Sequence, residues 1–285
     1  MVKRAVVRVP ATTSNLGPGY DCLGVALQIY NEVTARRAAV RTRGAAHPMA
    51  AEAGAAFFAA AGLRPFRFAW SITGDVPVSR GLGSSVTLRM GVIAGLNRLA
   101  GSPLDRRAIF DLCTRLEGHP DNAAPAAFGG FTACDPMGAP PIRVAVDPRL
   151  KFVLLVPDFE VRTDEARAIL PKRISRVAAA ASAGRACRIA AAFATKRYTL
   201  LRGMFADEAF HQPYRESLVP MLPRVIAAGE RAGALGGFLS GSGSTICCVT
   251  MKSAPRVATA MLQASGVEGG GIIITQADNR GFLVR

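Results

Sequence analysis

The sequence predicts an α+β fold divided into two lobes. At 285 residues the chain is long for one compact unit, because single domains most often have roughly 100–150 residues. Helical and strand-like apolar patterns are mixed along the chain without a regular βαβ repeat, which favours α+β over α/β. Prolines cluster at positions 140, 141 and 148. We therefore predict an N-terminal lobe over residues 1–148 and a C-terminal lobe over residues 149–285.

The N-terminal lobe combines three apolar strands with three helices. The strand segments are rich in apolar residues or alternate apolar with polar ones, and the helical segments contain alanine or repeat apolar residues at i, i+3, i+4 and i+7. Gly118 and Pro120 end the last helix. The predicted strands are residues 5–9, 25–33 and 66–72, and the predicted helices are residues 48–62, 86–99 and 109–116.

The C-terminal lobe shows the same mixture of elements. Its strands are short apolar runs, and its helices are alanine-rich segments. The predicted strands are residues 152–156, an apolar segment within 238–250, and residues 271–275 and 281–284; the predicted helices are residues 174–195 and 222–232.

The chain is strongly basic, with a net charge of +15 and 35 Lys and Arg residues. Such a charge suggests nucleic-acid binding as one alternative. The basic residues are dispersed rather than clustered, and the single tryptophan offers little for base stacking. We therefore favour a scattered basic surface that suits anionic small molecules, and we expect no nucleic-acid partner.

The cysteine pattern and the N-terminus point to the cytoplasm. None of the six cysteines stands in a CxxC pair, so buried free thiols in a reducing compartment are expected. Residues 1–10 lack the apolar core of a secretory signal. Residues 232–251 carry no charge, but half of them are Gly, Ser or Thr, which predicts a loop between buried strands rather than a membrane span. The sequence leaves the oligomeric state open, with a homodimer as one possibility.

A glycine loop, GLGSS at residues 81–85, precedes the apolar helix. Glycines allow close approach to an anion, and a helix N-terminus supplies N–H groups and a favourable dipole. The chain has no Gly-Lys-Ser/Thr element and no third glycine of a dinucleotide fingerprint. A second loop, LSGSGST at residues 239–245, is either a tight turn or a second phosphate cradle. The two loops together favour phosphate binding.

These loops belong to a longer series of motifs. Residues 77–85 (PVSRGLGSS) and 239–243 (LSGSG) resemble the ATP-binding and C-terminal motifs of the GHMP kinases. NLGPGYD at residues 15–21 and EGHPDNAAP at residues 117–125 resemble segments of the homoserine kinase branch, as do the shorter TDEAR and HQPYR segments at 163–167 and 211–215. The matches occur in family order over most of the chain.

The resemblance implies a fold and a reaction. The N-terminal lobe would be similar to the second domain of ribosomal protein S5, and the C-terminal lobe would be ferredoxin-like. ATP, with Mg²⁺, would donate its γ-phosphoryl group to the hydroxyl of L-homoserine on the way to threonine. A related GHMP kinase acting on mevalonate, shikimate or a similar alcohol is the alternative.

The resemblance also implies roles for individual residues. Arg167 and Asp21 are the predicted catalytic residues, and Ser85 and Glu117 the predicted metal ligands; without that role, Glu117 would be a solvated carboxylate at a helix end. The predicted ATP-binding residues are Pro77, Arg80, Gly81, Leu82, Gly83, Ser84, Ser85, Gly241, Ser242 and Gly243. The predicted substrate-binding residues are Asn15, Asp21, His119, Asn122, Arg167 and Arg215. A substrate with an ammonium and a carboxylate group is expected to lie between an anion and a cation on opposite sides of a pocket.

Two positions depart from the family pattern. Arg89 stands on the first turns of the helix after the glycine loop, where the family more often has small alanines, and it is expected either near the nucleotide or in solvent. Ser244 replaces a usual proline in the second loop. Neither change removes a group that the chemistry needs.

Overall fold

A computed structural model of the chain describes residues 2–38, 47–267 and 269–285, which form two antiparallel sheets with helices packed against them. The strands are β1 (Arg4–Ser14), β2 (Leu23–Arg37), β3 (Phe68–Gly74), β4 (Phe131–Ala133), β5 (Ile142–Val144), β6 (Lys151–Val156), β7 (Gly236–Leu239), β8 (Ile246–Thr250), β9 (Gly271–Gln276) and β10 (Leu283–Val284). The helices are α1 (Pro48–Ala60), α2 (Ser84–Leu99), α3 (Arg106–Glu117), α4 (Ala123–Phe128), α5 (Thr163–Ala168), α6 (Arg176–Ala194), α7 (Gln212–Arg215), α8 (Leu222–Arg231) and α9 (Ala254–Ser265), and Tyr198–Leu201 forms a 3₁₀ turn.

The first sheet has the strand order β10-β1-β2-β4-β5, with β3 also paired to β2. Helix α2 packs against β1 and β2, and twelve of its sixteen residues are buried, as its apolar sequence predicts. Gly91 and Gly95 lie one turn apart where α2 meets β2. A Cβ atom at Gly91 would come within 2.4 Å of Val33, so the absence of side chains lets the helix approach the sheet.

The second sheet has the order β7-β8-β6-β9. Helix α8 precedes β7, and α9 joins β8 to β9, so the elements follow the β-α-β-β-α-β pattern of a ferredoxin-like unit. Both helices pack on one face of this sheet in a shared apolar cluster. The ferredoxin-like expectation for the C-terminal lobe is therefore confirmed.

An apolar layer between the two sheets holds the lobes together. It contains side chains from both sheets and from α6, with Phe131 of β4 stacked on Phe193 of α6 at 4.3 Å between ring centroids. Strand β10, at the end of the chain, pairs with β1 and returns to the first sheet. The division at residue 148 stays a prediction.

Most predicted elements are present within a few residues of their predicted bounds, but the short elements β4, β5, α4, α5 and α7 and the longer helix α9 were not predicted. The buried residues of α9 are Ala254, Val257, Ala258, Met261 and Ser265, which follow the helical spacing i, i+3, i+4, i+7 and i+11, so the sequence did carry the pattern of this helix. The six cysteines are free, as expected, but not all are buried: Cys187 is exposed on α6. Helix α6 is also long and apolar enough to cross a membrane by length and composition, with 22% of that stretch buried.

Candidate active site

The first glycine loop leads directly into α2. Gly81 and Gly83 have φ values of +72° and +68°, a left-handed conformation that side chains rarely adopt. Gly83 is the N-cap, so no side chain caps the first turn, which begins at Ser84. The N–H groups of this turn and the positive end of the helix dipole therefore form a site for an anion.

The second glycine loop packs against the first. The Ser240 hydroxyl donates a hydrogen bond to the Gly81 carbonyl at 2.7 Å, and the Gly241 N–H donates to the Ser14 carbonyl at 3.2 Å. A Cβ atom at Gly81 would lie 2.1 Å from the Ser240 carbonyl oxygen. The close contact of the two loops requires glycine at position 81, and it joins the lobes beside the phosphate site.

Glu117 is not the solvated carboxylate that its helix-end position suggested. Its side chain is only 8% exposed. Ser85 donates a hydrogen bond to Glu117 Oε2 at 2.8 Å, and Arg89 donates to Oε1 at 2.6 Å. Helix α3 ends at Gly118 in the left-handed conformation, which leaves Glu117 in the last turn facing the start of α2. The two predicted metal ligands therefore lie in direct contact.

The predicted catalytic pair is also in contact. Arg167 of α5 donates two hydrogen bonds to the Asp21 carboxylate, at 2.8 and 3.2 Å. It also donates to the Tyr20 hydroxyl at 2.8 Å. The expected arrangement of an anion and a cation on opposite sides of a pocket stays a prediction. In the structure Asp21 and Arg167 lie in direct contact, and each balances the charge of the other.

Arg215 carries a buried guanidinium, with 2% of the residue exposed. It donates to the carbonyls of Ala166 and Gly241, each at 3.0 Å, and to His211 Nδ1 at 3.2 Å. His211 Nε2 faces the Gly17 carbonyl at 2.8 Å. Burial and the Arg215 charge lower the His211 pKa to about 3, so the ring is neutral. Since the Gly17 carbonyl can only accept, the proton lies on Nε2, and Nδ1 is free to accept from Arg215.

His119 forms a hydrogen-bonded pair with the buried carboxylate of Asp121, at 2.5 Å from its Nδ1. Burial opposes protonation of His119, but the hydrogen bond and the charges of Asp121 and Asp21 outweigh it and raise the His119 pKa. Burial also works against ionisation of Asp121, yet bonds from His119 and Ser14 keep its pKa below the ordinary value. The pair therefore favours an imidazolium at the edge of the cleft.

Asp21, His119 and Asp121 each offer a ligand atom within 4.8 Å of the others, a grouping that can hold a metal ion. Both carboxylates already have cationic or hydrogen-bonding partners, however, because Arg167 binds Asp21 and His119 binds Asp121. The contacts balance the charge of this group without an ion.

Two asparagines predicted to bind substrate are occupied by protein contacts. Asn15 accepts from the Asp21 N–H at 3.1 Å and donates to the Gly241 carbonyl at 3.0 Å. Asn122 donates to the Ser14 hydroxyl at 2.9 Å and accepts from Thr12 at 2.7 Å. Each side chain therefore fixes the loops that surround the cleft.

The loops enclose one cleft of about 670 Å³ between the two sheets. Most predicted site residues line it: Asn15, Asp21, Gly81, Gly83, Ser84, Ser85, Glu117, His119, Asn122, Arg167, Arg215, Gly241 and Ser242. Four predicted ATP-binding residues are not among its lining residues: Pro77, Arg80, Leu82 and Gly243.

Arg80 and Leu82 support the loop from outside the cleft. Arg80 donates to the Pro157 carbonyl at 3.0 Å and pairs with Glu160 at 3.3 Å, so it ties the first glycine loop to the end of β6. Leu82 is buried, and its carbonyl accepts from the Thr12 N–H.

Sequence reasoning missed Tyr20, Ser14 and Asp121 as lining residues. Tyr20 stacks on His211 at 5.4 Å and lies 5.5 Å from both Arg167 and Arg215. Tyr20 and Asp121 stand inside the quoted motifs beside assigned residues, so their position was the available signal.

Comparison with known proteins adds to this geometry. A family model described as the GHMP kinases N terminal domain matches residues 43–130, and one described as GHMP kinases C terminal matches residues 189–268. The chain belongs to the GHMP kinase family. This GHMP kinase is 38% identical to a homoserine kinase of Moorella thermoacetica over 278 residues, 93% of each chain. It is 34% identical to a homoserine kinase of Clostridium botulinum, with 98% of this chain and 97% of the relative covered.

A solved structure gives the same result for the fold. The crystal structure of homoserine kinase from Cytophaga hutchinsonii matches with a TM-score of 0.89 at 24% identity, over 100% of this chain and 98% of that one. The motif resemblance is therefore confirmed, and the chain is an ATP-dependent small-molecule kinase of the homoserine kinase branch.

Proposed function

We propose that this kinase transfers the γ-phosphoryl group of ATP to the side-chain hydroxyl of L-homoserine, giving O-phospho-L-homoserine for threonine biosynthesis. One observation carries the proposal: the first glycine loop, the Asp21–Arg167 pair and Arg215 line the same cleft. An anion-binding helix end thus lies beside charged groups suited to an amino acid. The names of the relatives support this substrate over other alcohols.

ATP would bind with its phosphates on the loop formed by Gly81, Gly83 and Ser84. The N–H groups of the first turn of α2 donate to phosphate oxygens there, and the helix dipole favours their negative charge. Gly241 and Ser242 belong to the loop that packs against the first glycine loop, and they line the cleft as well.

We propose that Ser85 and Glu117 hold Mg²⁺. Their oxygens are 2.8 Å apart, close to the spacing of about 3.0 Å between neighbouring ligands of an octahedral ion with bonds of about 2.1 Å. A hydroxyl and a carboxylate are also the oxygen donors that this ion takes. When bound, Mg²⁺ would neutralise phosphate charge.

The amino acid would bind on the other side of the phosphate loop. Asp21 is the group suited to the ammonium, and Arg167 and Arg215 are suited to the carboxylate or to the transferring phosphoryl group. Arg215 Nη2 makes no hydrogen bond with the described residues, and Arg215 lines the cleft, so this nitrogen is available to a ligand. His119 also lines the cleft, and its hydrogen bond with Asp121 raises its pKa, which favours a positive charge there.

In the reaction, a bond forms between the homoserine oxygen and the γ-phosphorus, the bond from that phosphorus to the ADP oxygen breaks, and the proton of the hydroxyl is released to solvent. The chain contributes chiefly by holding the hydroxyl in line and by supplying positive charge, since phosphoryl transfer depends mainly on positioning and electrostatics. Arg167 and Asp21 are the proposed catalytic residues because both line the cleft, where each would exchange its contact with the other for a group of the substrate. Asn15 and Asn122 fix the loops that carry these groups.

The test is product formation from ATP, Mg²⁺ and L-homoserine, compared with mevalonate, shikimate, 4-hydroxybutanoate and 3-aminopropan-1-ol. The last two lack the ammonium and the carboxylate of homoserine, respectively. We expect each to lose at least about 100-fold in kcat/KM, roughly 2.7 kcal/mol. Asp21→Asn should weaken use of homoserine far more than it raises the KM for ATP. Equal turnover of mevalonate or shikimate would overturn the substrate assignment.

We also propose a cytoplasmic location, for which the six free thiols are the support. The expectations of no nucleic-acid partner and no membrane association, and the open possibility of a homodimer, remain predictions. Size-exclusion chromatography with light scattering would measure the oligomeric state.

A further inference from the structure

Arg89 brings a positive charge to the proposed metal site. It lies one turn after Ser85 on α2, and helical side chains lean towards the N-terminus, so its guanidinium reaches back to the glycine loop. It donates to Glu117 Oε1 at 2.6 Å and to Glu52 Oε2 of α1 at 3.2 Å. Its side chain is 14% exposed, and Arg89 lines the cleft. It is therefore part of the site rather than a solvated surface residue.

The guanidinium occupies the space between two carboxylates. Without it, Glu52, Glu117 and the Ser85 hydroxyl would present oxygen donors of the kind that divalent cations bind. A guanidinium is always charged in a folded protein, and Arg89 contacts Glu117 and Glu52 at 2.6 and 3.2 Å. Arg89 Nε is buried and has no partner among the described residues. The Arg89 guanidinium thus supplies the positive charge between the carboxylates of Glu52 and Glu117.

The two carboxylate oxygens of Glu117 have different hydrogen-bond partners. Arg89 holds Oε1, while Oε2 faces Ser85 and remains the oxygen available to a metal. A divalent ion arriving alone would meet a carboxylate whose charge is already cancelled, beside a fixed positive charge. A metal bound to nucleotide phosphates brings its own negative charge, which offsets this repulsion.

We propose that Arg89 is a built-in counter-ion that orients Glu117 and keeps free divalent cations out of the site, so that metal binding depends on the nucleotide. The inference rests on the proposed metal role of Ser85 and Glu117. Arg89 acts through Glu117 and is a positioning residue.

The test measures binding of Mn²⁺, a spectroscopic substitute for Mg²⁺, to the nucleotide-free protein by electron paramagnetic resonance. We expect Arg89→Met to bind Mn²⁺ at least about tenfold more tightly than wild type. Arg89→Lys keeps the charge and should bind as weakly as wild type. The double variant Arg89→Met/Glu117→Gln should lose the gain.

Two results would overturn the inference: Arg89→Met binding Mn²⁺ no better than wild type, or the double variant keeping the gain. Circular dichroism checks the fold of each variant. Should Arg89→Met not fold, Arg89→Gln removes the same charge with a polar side chain and is read by the same criteria.

A parallel titration separates this inference from the proposed metal site. Wild type and Glu117→Gln are titrated with Mn²⁺ in the presence of ADP. If Glu117→Gln binds Mn²⁺–ADP as well as wild type, the proposed metal role of Glu117 fails. If it binds more weakly while Arg89→Met gains no free-metal affinity, the metal role stands and the inference about Arg89 fails.

Discussion

Replacing Arg215 with methionine tests two roles of this residue, one in the stability of the fold and one in the use of homoserine. Methionine reaches about as far as the Nε atom of arginine and has neither the charge nor the donors, so the carbonyls of Ala166 and Gly241 and the Nδ1 atom of His211 each lose a hydrogen bond. Each lost bond to a buried acceptor costs roughly 1 kcal/mol, so we expect a loss of about 3 kcal/mol in the free energy of unfolding. For a protein of this size, that corresponds to a decrease in Tm of roughly 6–12 °C.

The same substitution should affect homoserine more than ATP. Arg215 Nη2 is the proposed donor to the substrate, and losing a charge-assisted hydrogen bond in a desolvated site is expected to reduce kcat/KM for homoserine by at least about 100-fold, or roughly 2.7 kcal/mol. The KM for ATP should change little. Arg215→Lys keeps the charge but not the fork of donors, so it should recover part of the activity and little of the stability.

The assays are thermal melting and steady-state kinetics with each substrate varied. Arg224→Met on α8 is the matched control, because within residues 2–38, 47–267 and 269–285 this exposed arginine donates only to the Ser265 carbonyl, and neither residue lines the cleft. It should leave both kinetic constants unchanged. An Arg215→Met variant with the Tm and the homoserine kinetics of wild type would refute the reasoning.

Three further predictions concern the loops and the histidine pair. Ser85→Ala should weaken ATP-dependent turnover more than homoserine binding, measured as separate KM and kcat values; unchanged constants for ATP would count against the phosphate loop. Gly81→Ala should raise the KM for ATP at least about tenfold, because the new Cβ atom would clash with the Ser240 carbonyl. Gly62→Ala is the control and should leave this KM unchanged: Gly62 has a similar φ, but a Cβ atom there would have no described atom within 4 Å outside its chain neighbours. Because the His119 pKa is raised in the folded state, its pairing stabilises the protein below the ordinary pKa of 6.5, and the gain is lost as pH rises through the raised value. His119→Gln should therefore lose about 1 kcal/mol more stability at pH 6 than at pH 9 in urea unfolding, and an equal loss at both would contradict the charged pair.

The parts of the fold that could be predicted are those that depend on local sequence. The buried helix α2 follows from its continuous apolar residues, and the end of α3 follows from Gly118 in the left-handed conformation. The two glycine loops were also recognised, because φ values such as that of Gly81 are specified by the residue itself. Helix α9 was missed although its buried residues, with Val257 and Met261 among them, repeat at the helical period, so the signal was present in the sequence.

The parts of the site that could not be predicted depend on contacts between distant residues. The position of Glu117 at a helix end would leave an ordinary glutamate in solvent. In the structure its side chain is largely buried, and Arg89 of α2, 28 residues earlier in the chain, donates a hydrogen bond to it. Arg80 belongs to the ATP-binding motif but contacts residues that follow β6. A motif identifies which loop is functional, while the fold decides which side chains of that loop face the cleft.

The Asp21–Arg167 pair balances two opposite charges inside the cleft. The side chains are partly exposed, and each group serves as the partner of the other. A homoserine molecule brings both an ammonium and a carboxylate, so it can replace each side of the pair with an equivalent partner. An analogue without the ammonium brings an anion next to Asp21, and one without the carboxylate brings a cation next to Arg167 and Arg215. Each analogue therefore meets a like charge that the zwitterion neutralises, so selection for an amino acid follows from the pairing itself.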